Sequence, residues 1–526
     1  MIDFKAIEAA ALADVAAHSA ELEEAALFNT NKVINAFRNN MVSDFYLKPT
    51  TGYAYSDVGR EKLDLIYAEL FKAEAALVRS QFVSGTHALA VALLGNLRAG
   101  DELIAVTGAP YDTMQTIIGY PVKTEGSLVD LGVTYKEIPM SGDHADLEAI
   151  KAAVTEKTTM IHIQRSCGYS SVRKTITVEE IGRICQVAKA INPNVICFVD
   201  NCYGEFIEKQ EPTEVGADLI AGSLIKNLGG GFAPTGGYIV GREDLVEKAS
   251  YRLTCPGLGG EMGATLGDTA REFYQGLFMA PHIVLQAVKT AIFAASVFKQ
   301  LGYVVKPLPE EKRSDIIQAI TLESRERLCN FCIAIQSNSP VDAHVEPVPS
   351  PLPGYQDEII MAAGTFVQGA SIELSADGPC REPFNVFFQG GLTFEHGRLA
   401  IMAAAEKVGA LTEHIEVEQE FISAGRMALL LDVSLATLYR WYKWWENDNF
   451  EKPEGLYLPP YYHRDKRKTK FFKREDFDKL KKFACDINNE YKGCMSEFNA
   501  ALLWGNRGKK ILNKKGTDIT TVRKKL

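Results

Sequence analysis

The sequence predicts an α/β fold with a large, mostly parallel sheet covered by helices on both faces, a smaller α+β domain after it, and a small helical module at the C-terminus. Between about residues 60 and 250, helical patterns alternate with short β-branched runs, the rhythm of βα units on a parallel sheet. At 526 residues the chain is also too long for one core. Finally, the net charge of −10 is unevenly spread: residues after 420 carry 23 Lys+Arg against 13 Asp+Glu, while those before carry 34 against 54. All four tryptophans (Trp441, Trp444, Trp445, Trp504) fall in the basic part. Such a change of sign and composition marks a separate module with a polyanionic partner.

The elements follow in order. Residues 5 to 40 repeat apolar side chains at helical spacing (Ala10, Leu12, Val15, Ala16, then Val33, Ile34, Phe37), predicting helices ahead of the first strand, an arm over 1–45. Strands are expected at Glu102–Val106, Thr159–Ile163, Val195–Val199 and Gly237–Val240, within a large domain over 46–260. Residues 265 to 302 read as a long helix, and the rest of 261–410 mixes short strands with loops into the smaller domain. The run Glu413 to Glu420 leads onward without a Gly/Pro/Ser linker. No apolar run reaches the roughly 18 to 20 residues a bilayer crossing requires, and the N-terminus is not basic-then-apolar, so a soluble cytoplasmic protein is expected. The ten cysteines are scattered in apolar stretches, as in a reduced core. Cys329-x-x-Cys332 has no second pair or nearby histidines to make a metal site, and no metal is expected.

In an open parallel sheet, ligands sit beyond the carboxyl ends of the strands. Ser84-Gly85-Thr86 opens a helix whose free N–H groups suit a phosphate, although simple capping by Ser84 explains the same residues. Asp200 ends a strand, where a carboxylate pairs with a protonated ring nitrogen or merely caps a loop. Lys226 lies between the apolar run Leu219 to Ile225 and three glycines, an odd place for a solvated lysine. A desolvated amine of lowered pKa is what Schiff-base chemistry uses. Ser223 offers a hydroxyl to a phosphate. Tyr111 follows a strand and is placed to stack on a flat ring, or is an ordinary turn aromatic.

In that order, Ser84-Gly-Thr, Tyr111, Asp200 and Ser223-x-x-Lys226 resemble the fold-type-I pyridoxal-phosphate (PLP) enzymes of cysteine and methionine metabolism. Four further segments, Thr51 to Arg60, Gln164 to Ser170, Glu373 to Pro383 and Phe388 to His396, look like the methionine gamma-lyase-like family often labelled aluminium-resistance proteins. The resemblance implies the aspartate-aminotransferase-like fold over 1–410, PLP as cofactor and a carbon–sulfur lyase acting on a cysteine-, cystathionine- or methionine-type amino acid. It also implies roles. Lys226 carries PLP and shuttles the substrate proton, Asp200 holds the ring nitrogen and Tyr111 stacks on the ring. Ser84, Gly85, Thr86 and Ser223 grip the phosphate. Tyr55 and Arg60 match a Tyr/Arg pair that relatives send into a neighbouring subunit, with stretched spacing here, so a homodimer or homotetramer is implied. Arg381 is the candidate for the substrate carboxylate, because a guanidinium fork fits it, or else a surface ion-pair partner of Glu382 or Asp377. Arg165 and Arg173 stand in reserve.

In the basic part, Ser423 to Trp441 has helix, short turn, helix spacing over a module spanning 415–485. Met427, Leu430 and Leu431 are expected to pack on Val433 and Leu438, with Thr437, Tyr439 and Arg440 pointing outwards. A basic wing follows, with Arg464, Lys466, Arg467, Lys468 and Lys470 facing phosphates, and residues 486–526 read as a basic, partly disordered tail. The whole resembles MerR- or excisionase-like helix-turn-helix phage proteins, so DNA is an expected partner. A solvated charge run beside an aromatic protein-binding face is the bland alternative. Three organisations remain open: a lyase with an appended DNA-binding module, a regulator whose PLP domain senses an amino acid, and a joining of two unrelated genes.

Overall fold

In the computed structural model the β-branched runs become strands β1 (Ala75–Arg79), β2 (Glu102–Ala105), β3 (Thr134–Glu137), β4 (Thr158–Gln164), β5 (Ile196–Asp200), β6 (Leu219–Ser223) and β7 (Gly237–Gly241). They form one sheet in the order β1-β7-β6-β5-β4-β2-β3. Neighbours are parallel except that β7 is antiparallel to both β1 and β6. Every residue of β5 and β6 is buried, which is why these strands read as continuous apolar runs rather than alternations. The structure describes residues 2–169, 173–352, 355, 357–410, 421–431, 433, 435–463 and 470–489.

The chain divides into two compact units, Met1–Ala410 and Leu411–Leu526. In the first, the N-terminal pattern becomes one 36-residue helix, α1 (Phe4–Asn39), rather than several, and it packs along α8 (Thr269–Gln300). Asn29 of α1 is buried and donates to the carbonyls of Phe206 and Glu208, each at 3.1 Å, so the arm is tied to the loop beyond β5. Contrary to the sequence reading, one helix, α8, is long and apolar enough to cross a bilayer, with a mean hydropathy of 1.5 over its most apolar window. Of that window 67% is buried inside the protein, as befits a core helix. The smaller domain carries a second, antiparallel sheet of β8 (Val304–Lys306), β9 (Ile317–Thr321), β10 (Ile359–Ala362), β11 (Ser375–Pro379) and β12 (Asn385–Gln389), in the order β10-β11-β12-β9-β8.

One close approach sets the position of the segment after β6. Gly276 of α8 faces the turn Asn227–Gly229, and a Cβ there would come within 2.3 Å of the Gly229 carbonyl oxygen. Any larger residue pushes this turn away, at the roughly 1–3 kcal/mol typical of overpacking. The turn begins directly after Lys226, so the helix packing fixes where that lysine starts.

The second unit has its own core. Strand β13 (Phe421–Ser423) leads into helices Ala424–Leu430 and Leu435–Trp445, then β14 (Tyr462–His463), β15 (Lys470–Lys473) and a helix Phe477–Asn489. Met427, Leu438, Trp441, Trp444, Phe472 and Phe483 are buried together, and Leu431 and Val433 pack against them. Two expectations need correction. Tyr439 does not point outwards but is half-buried against this core. Lys470 faces its own unit: its ammonium lies 3.4 Å from the centre of the Tyr461 ring and 3.6 Å from Glu446. Thr437 and Arg440 are half-exposed on the second helix. Arg464, Lys466, Arg467 and Lys468 lie outside the described residues.

Candidate active site

The carboxyl ends of β5 and β6 bring the predicted residues together. Asp200 is the last residue of β5 and Ser223 the last of β6, so adjacent strands deliver a carboxylate and a hydroxyl to one edge. Asp200 is buried, and its Oδ1 accepts from the Cys202 amide at 3.1 Å. Burial pushes its pKa up, opposed first by the Lys226 charge. The Lys226 ammonium sits 3.8 Å from the centre of the Tyr203 ring, a cation–π contact. Here one expectation fails: burial does work to lower the Lys226 pKa, but Cys202, Tyr203, Asp200 and Tyr111 around it outweigh burial and hold it well above the ordinary value. Tyr203 itself adopts a left-handed backbone at φ 74°, strain of the kind that collects at functional sites.

Ser84 caps helix α3 (Gly85–Asn96), its Oγ accepting from the His87 amide at 3.0 Å. Beside this helix start lies Ser223, 1% exposed, whose hydroxyl has no hydrogen-bond partner among the described residues. A Cβ on Gly85 would come within 2.8 Å of the Ser223 Cβ, so glycine keeps the two backbones close. Thr86 Oγ1 lies 3.0 Å from the Tyr111 hydroxyl. The Tyr111 amide donates to Gln164 Oε1 at 2.9 Å, which fixes the start of its loop from the end of β4. An orphaned hydroxyl, a helix N-terminus and a glycine that leaves backbone exposed make an anion cradle. With the Asp200 carboxyl and the Lys226 amine beyond it, these groups fit the phosphate, ring nitrogen and aldehyde of PLP.

Three arginines fall elsewhere. Arg165 is fully buried, its Nη1 donating to Asn201 Oδ1 at 2.8 Å and its Nη2 to Glu208 Oε1 at 3.0 Å. It locks the loop after β5 from below and is not exposed to a substrate. Arg173 donates to the carbonyls of Thr107 (2.9 Å) and Ser166 (2.6 Å). Arg60 donates to the carbonyls of Ala54, Gly263 and Glu261 in its own chain; it braces the segment carrying Tyr55 instead of reaching outwards, while Tyr55 itself is 53% exposed. Arg381 is half-exposed, with Nη1 2.8 Å from Asp357 Oδ2, and its charge is felt by Asp112 next to Tyr111. Sequence reasoning missed Tyr203, Glu205 and Asp377. Glu205 is buried beneath the lysine and accepts from the Tyr238 hydroxyl at 2.7 Å.

A mostly parallel sheet with lysine, carboxylate and phosphate cradle at its carboxyl edge defines a fold-type-I PLP-dependent enzyme. The profile of the methionine gamma-lyase family matches residues 4–409, and the chain belongs to that family, whose members are PLP-dependent carbon–sulfur lyases. YnbB of Bacillus subtilis, an uncharacterized protein, is 49% identical over 398 residues, covering 75% of this chain and 94% of its own. A solved structure from Clostridium novyi, described as a carbon–sulfur lyase involved in aluminium resistance, has 46% identity and a TM-score of 0.74, covering 77% of this chain and 96% of that one. One from Listeria monocytogenes, provisionally described as a cystathionine beta-lyase involved in aluminium resistance, has 49% identity and a TM-score of 0.75, covering 77% and 100%.

The buried Glu205 gives a stability prediction. Burial raises its folded pKa from 4.5 to about 7. A carboxyl raised on folding contributes stability that is complete below the unfolded pKa and lost as pH rises through the folded one. Glu205→Gln should therefore gain stability relative to wild type between pH 4.5 and 7, by up to about 3 kcal/mol on the alkaline side. Urea denaturation across that range checks it, and a gap that does not change with pH refutes it.

Proposed function

We propose that Lys226 is the base of a lyase that cleaves a carbon–sulfur bond in a cysteine-, cystathionine- or methionine-type amino acid. The observation that carries this reading is the buried, unpartnered Ser223 hydroxyl three residues before Lys226, facing a capped helix start and flanked by Asp200. When bound, PLP supplies an electron sink that makes the substrate α-proton removable. Ser84, Gly85, Thr86 and Ser223 would hold its phosphate, Asp200 its ring nitrogen and Tyr111 its face. Lys226, poised over Tyr203, takes the α-proton and returns one later. Arg381 holds the substrate carboxylate; its half-exposed ion pair with Asp357 is of the weak surface kind that a ligand displaces. The substrate class is supported by the Listeria and Clostridium structures and by L-methionine gamma-lyase of Pseudomonas putida, 28% identical over 219 residues, covering 41% of this chain and 48% of its own.

Assembly into a homodimer or homotetramer is part of this reading. Met41, Phe45, Tyr53 and Tyr55 are 73%, 59%, 68% and 53% exposed, a run of apolar surface that marks an interface. Tyr55 then completes the neighbouring subunit's phosphate cradle. Light scattering should report at least a dimer, and a monomer that retains full turnover rules this out.

A second reading concerns the C-terminal unit, and DNA is its proposed ligand. In support, the chain after residue 420 carries an excess of ten positive charges, and its two consecutive helices share a core with Arg440 and Thr437 half-exposed on the second. The full-length protein should retard a random DNA duplex with an affinity that falls steeply between about 50 and 200 mM salt; salt-independent or undetectable retardation removes the DNA reading.

The lyase reading is tested by absorption spectroscopy of wild type and Lys226→Ala. The wild type should show a visible band trapped by borohydride and release a keto acid from L-cystathionine, L-cysteine or L-methionine. The variant should lose the band and about 100- to 10,000-fold of the turnover. A colourless wild type that PLP cannot reconstitute overturns the reading.

A further inference from the structure

The roles assigned so far leave one buried acid beside Lys226 unused. Asp377 is the third residue of β11, 8% exposed, and its carboxyl interacts electrostatically with the Lys226 ammonium. Its Oδ2 accepts from Gln389 Nε2 at 3.3 Å, and the nearby Tyr169 phenol works to lower its pKa. Its Oδ1 has no partner among the described residues. A carboxyl oxygen buried this deeply without a donor calls for an explanation, because an unmet acceptor costs roughly 1–3 kcal/mol, more if charged. Protonated, the same oxygen becomes a donor.

Aromatic rings close round this carboxyl. Tyr169 packs on Phe387, the cross-strand neighbour of Asp377, at 5.1 Å between ring centres. It also meets Tyr355, at 5.7 Å between ring centres. On the other side, Tyr203 places its ring under Lys226 and its hydroxyl 3.1 Å from Ser371 Oγ.

We propose that Asp377 is the general acid of the reaction, delivering a proton from Oδ1 to the sulfur as the carbon–sulfur bond breaks. The bonding pair stays with sulfur, the Asp377 proton makes it a neutral thiol, and the carboxylate left behind is reprotonated from the medium before the next turnover. No oxidant or reductant is involved. An alkyl thiolate is a basic leaving group, and in a site screened from water it needs such a donor. Burial pushes the Asp377 carboxyl up to about 7, near the operating pH, where proton transfer is most effective. The Tyr111 and Tyr203 phenols are instead driven above their ordinary value by burial and hold their protons too tightly. Cys332, on the far side of β11, is likewise raised by burial.

This inference rests on the assignment of Lys226 as base, and the test separates the two. Holoenzyme of wild type, Asp377→Asn and Tyr169→Phe would be assayed with S-methyl-L-cysteine, whose leaving thiolate is strongly basic, and with a nitroaryl cysteine thioether, whose thiolate is a weak base. Deuterium wash-in at the substrate α-carbon reports the Lys226 step by itself. Asp377→Asn should keep the visible band and the wash-in, lose about 100-fold or more of turnover on S-methyl-L-cysteine, and fall less than about 3-fold on the nitroaryl substrate. Tyr169→Phe, which keeps the ring packing, should shift both in the same direction by less, and it decides the matter should Asp377→Asn lose the band. Equal losses on the two substrates, no loss at all, or wash-in that falls together with turnover would overturn the proposal. A wild type without band or wash-in would instead refute the role of Lys226.

Discussion

The juxtaposition of Asp200, at the end of β5, and Lys226, three residues past the end of the neighbouring β6, is the constraint on which the rest of this enzyme depends. Placing a carboxyl and an ammonium out of water is costly unless each finds an opposite charge or a ring face. The protein meets that cost with a buried polar layer beneath the site. Arg165 satisfies Asn201 and Glu208 and lies 3.7 Å from Glu211, Glu205 is bonded to Tyr238, and Arg173 holds the carbonyls of Thr107 and Ser166. Such a network is worth having only if nearly complete, because a missing member leaves a charge buried and unpaired. The glycines at 85, 229 and 276 serve the same end, since they let α3, α8 and the lysine turn approach closely enough to hold the pair in place.

The smaller domain contributes the opposite wall. Its antiparallel sheet presents Asp377, Phe387 and Gln389 from adjacent strands, and the segment after β4 lays Tyr169 against them. The site therefore forms between a parallel sheet, which supplies the residues proposed to hold a cofactor, and an antiparallel sheet, which supplies Asp377, Phe387 and Gln389. This division explains why the cofactor cradle is polar backbone and small side chains while the opposing wall is tyrosine and a single acid. The first must fit a phosphate closely. The second must exclude water and manage protons.

Much of the large domain was legible because strands buried on both faces must be apolar throughout. Ile196 to Val199 and Leu219 to Ala221 announced themselves in this way, and Asp200, Ser223 and Lys226 stood out as polar residues at the ends of such runs. Arg165 carried an equally visible charge in a distinctive motif and was misplaced, because nothing local tells whether a guanidinium after a strand turns into the site or into the layer below it. Arg60 failed for the same reason: its Nη donors are taken up by three carbonyls, two of them far away in sequence beyond residue 260. Tyr439 was read from helical spacing as an outward residue, and the aromatic core of its small unit drew it in.

By itself, the sequence determined the alternation of strand and helix, the polar residues at the strand ends, and the break in charge near residue 420, all of which depend on neighbours within a few positions. What only the tertiary structure decided were the partners of charged and aromatic side chains: Tyr203 under the lysine, Glu205 under the sheet edge, Asp377 across from both. Each of these is defined by a contact between segments distant in sequence, in a dry interior where one hydrogen bond sets whether a group carries a proton. Spacing records which face a residue occupies. It does not record what meets it there.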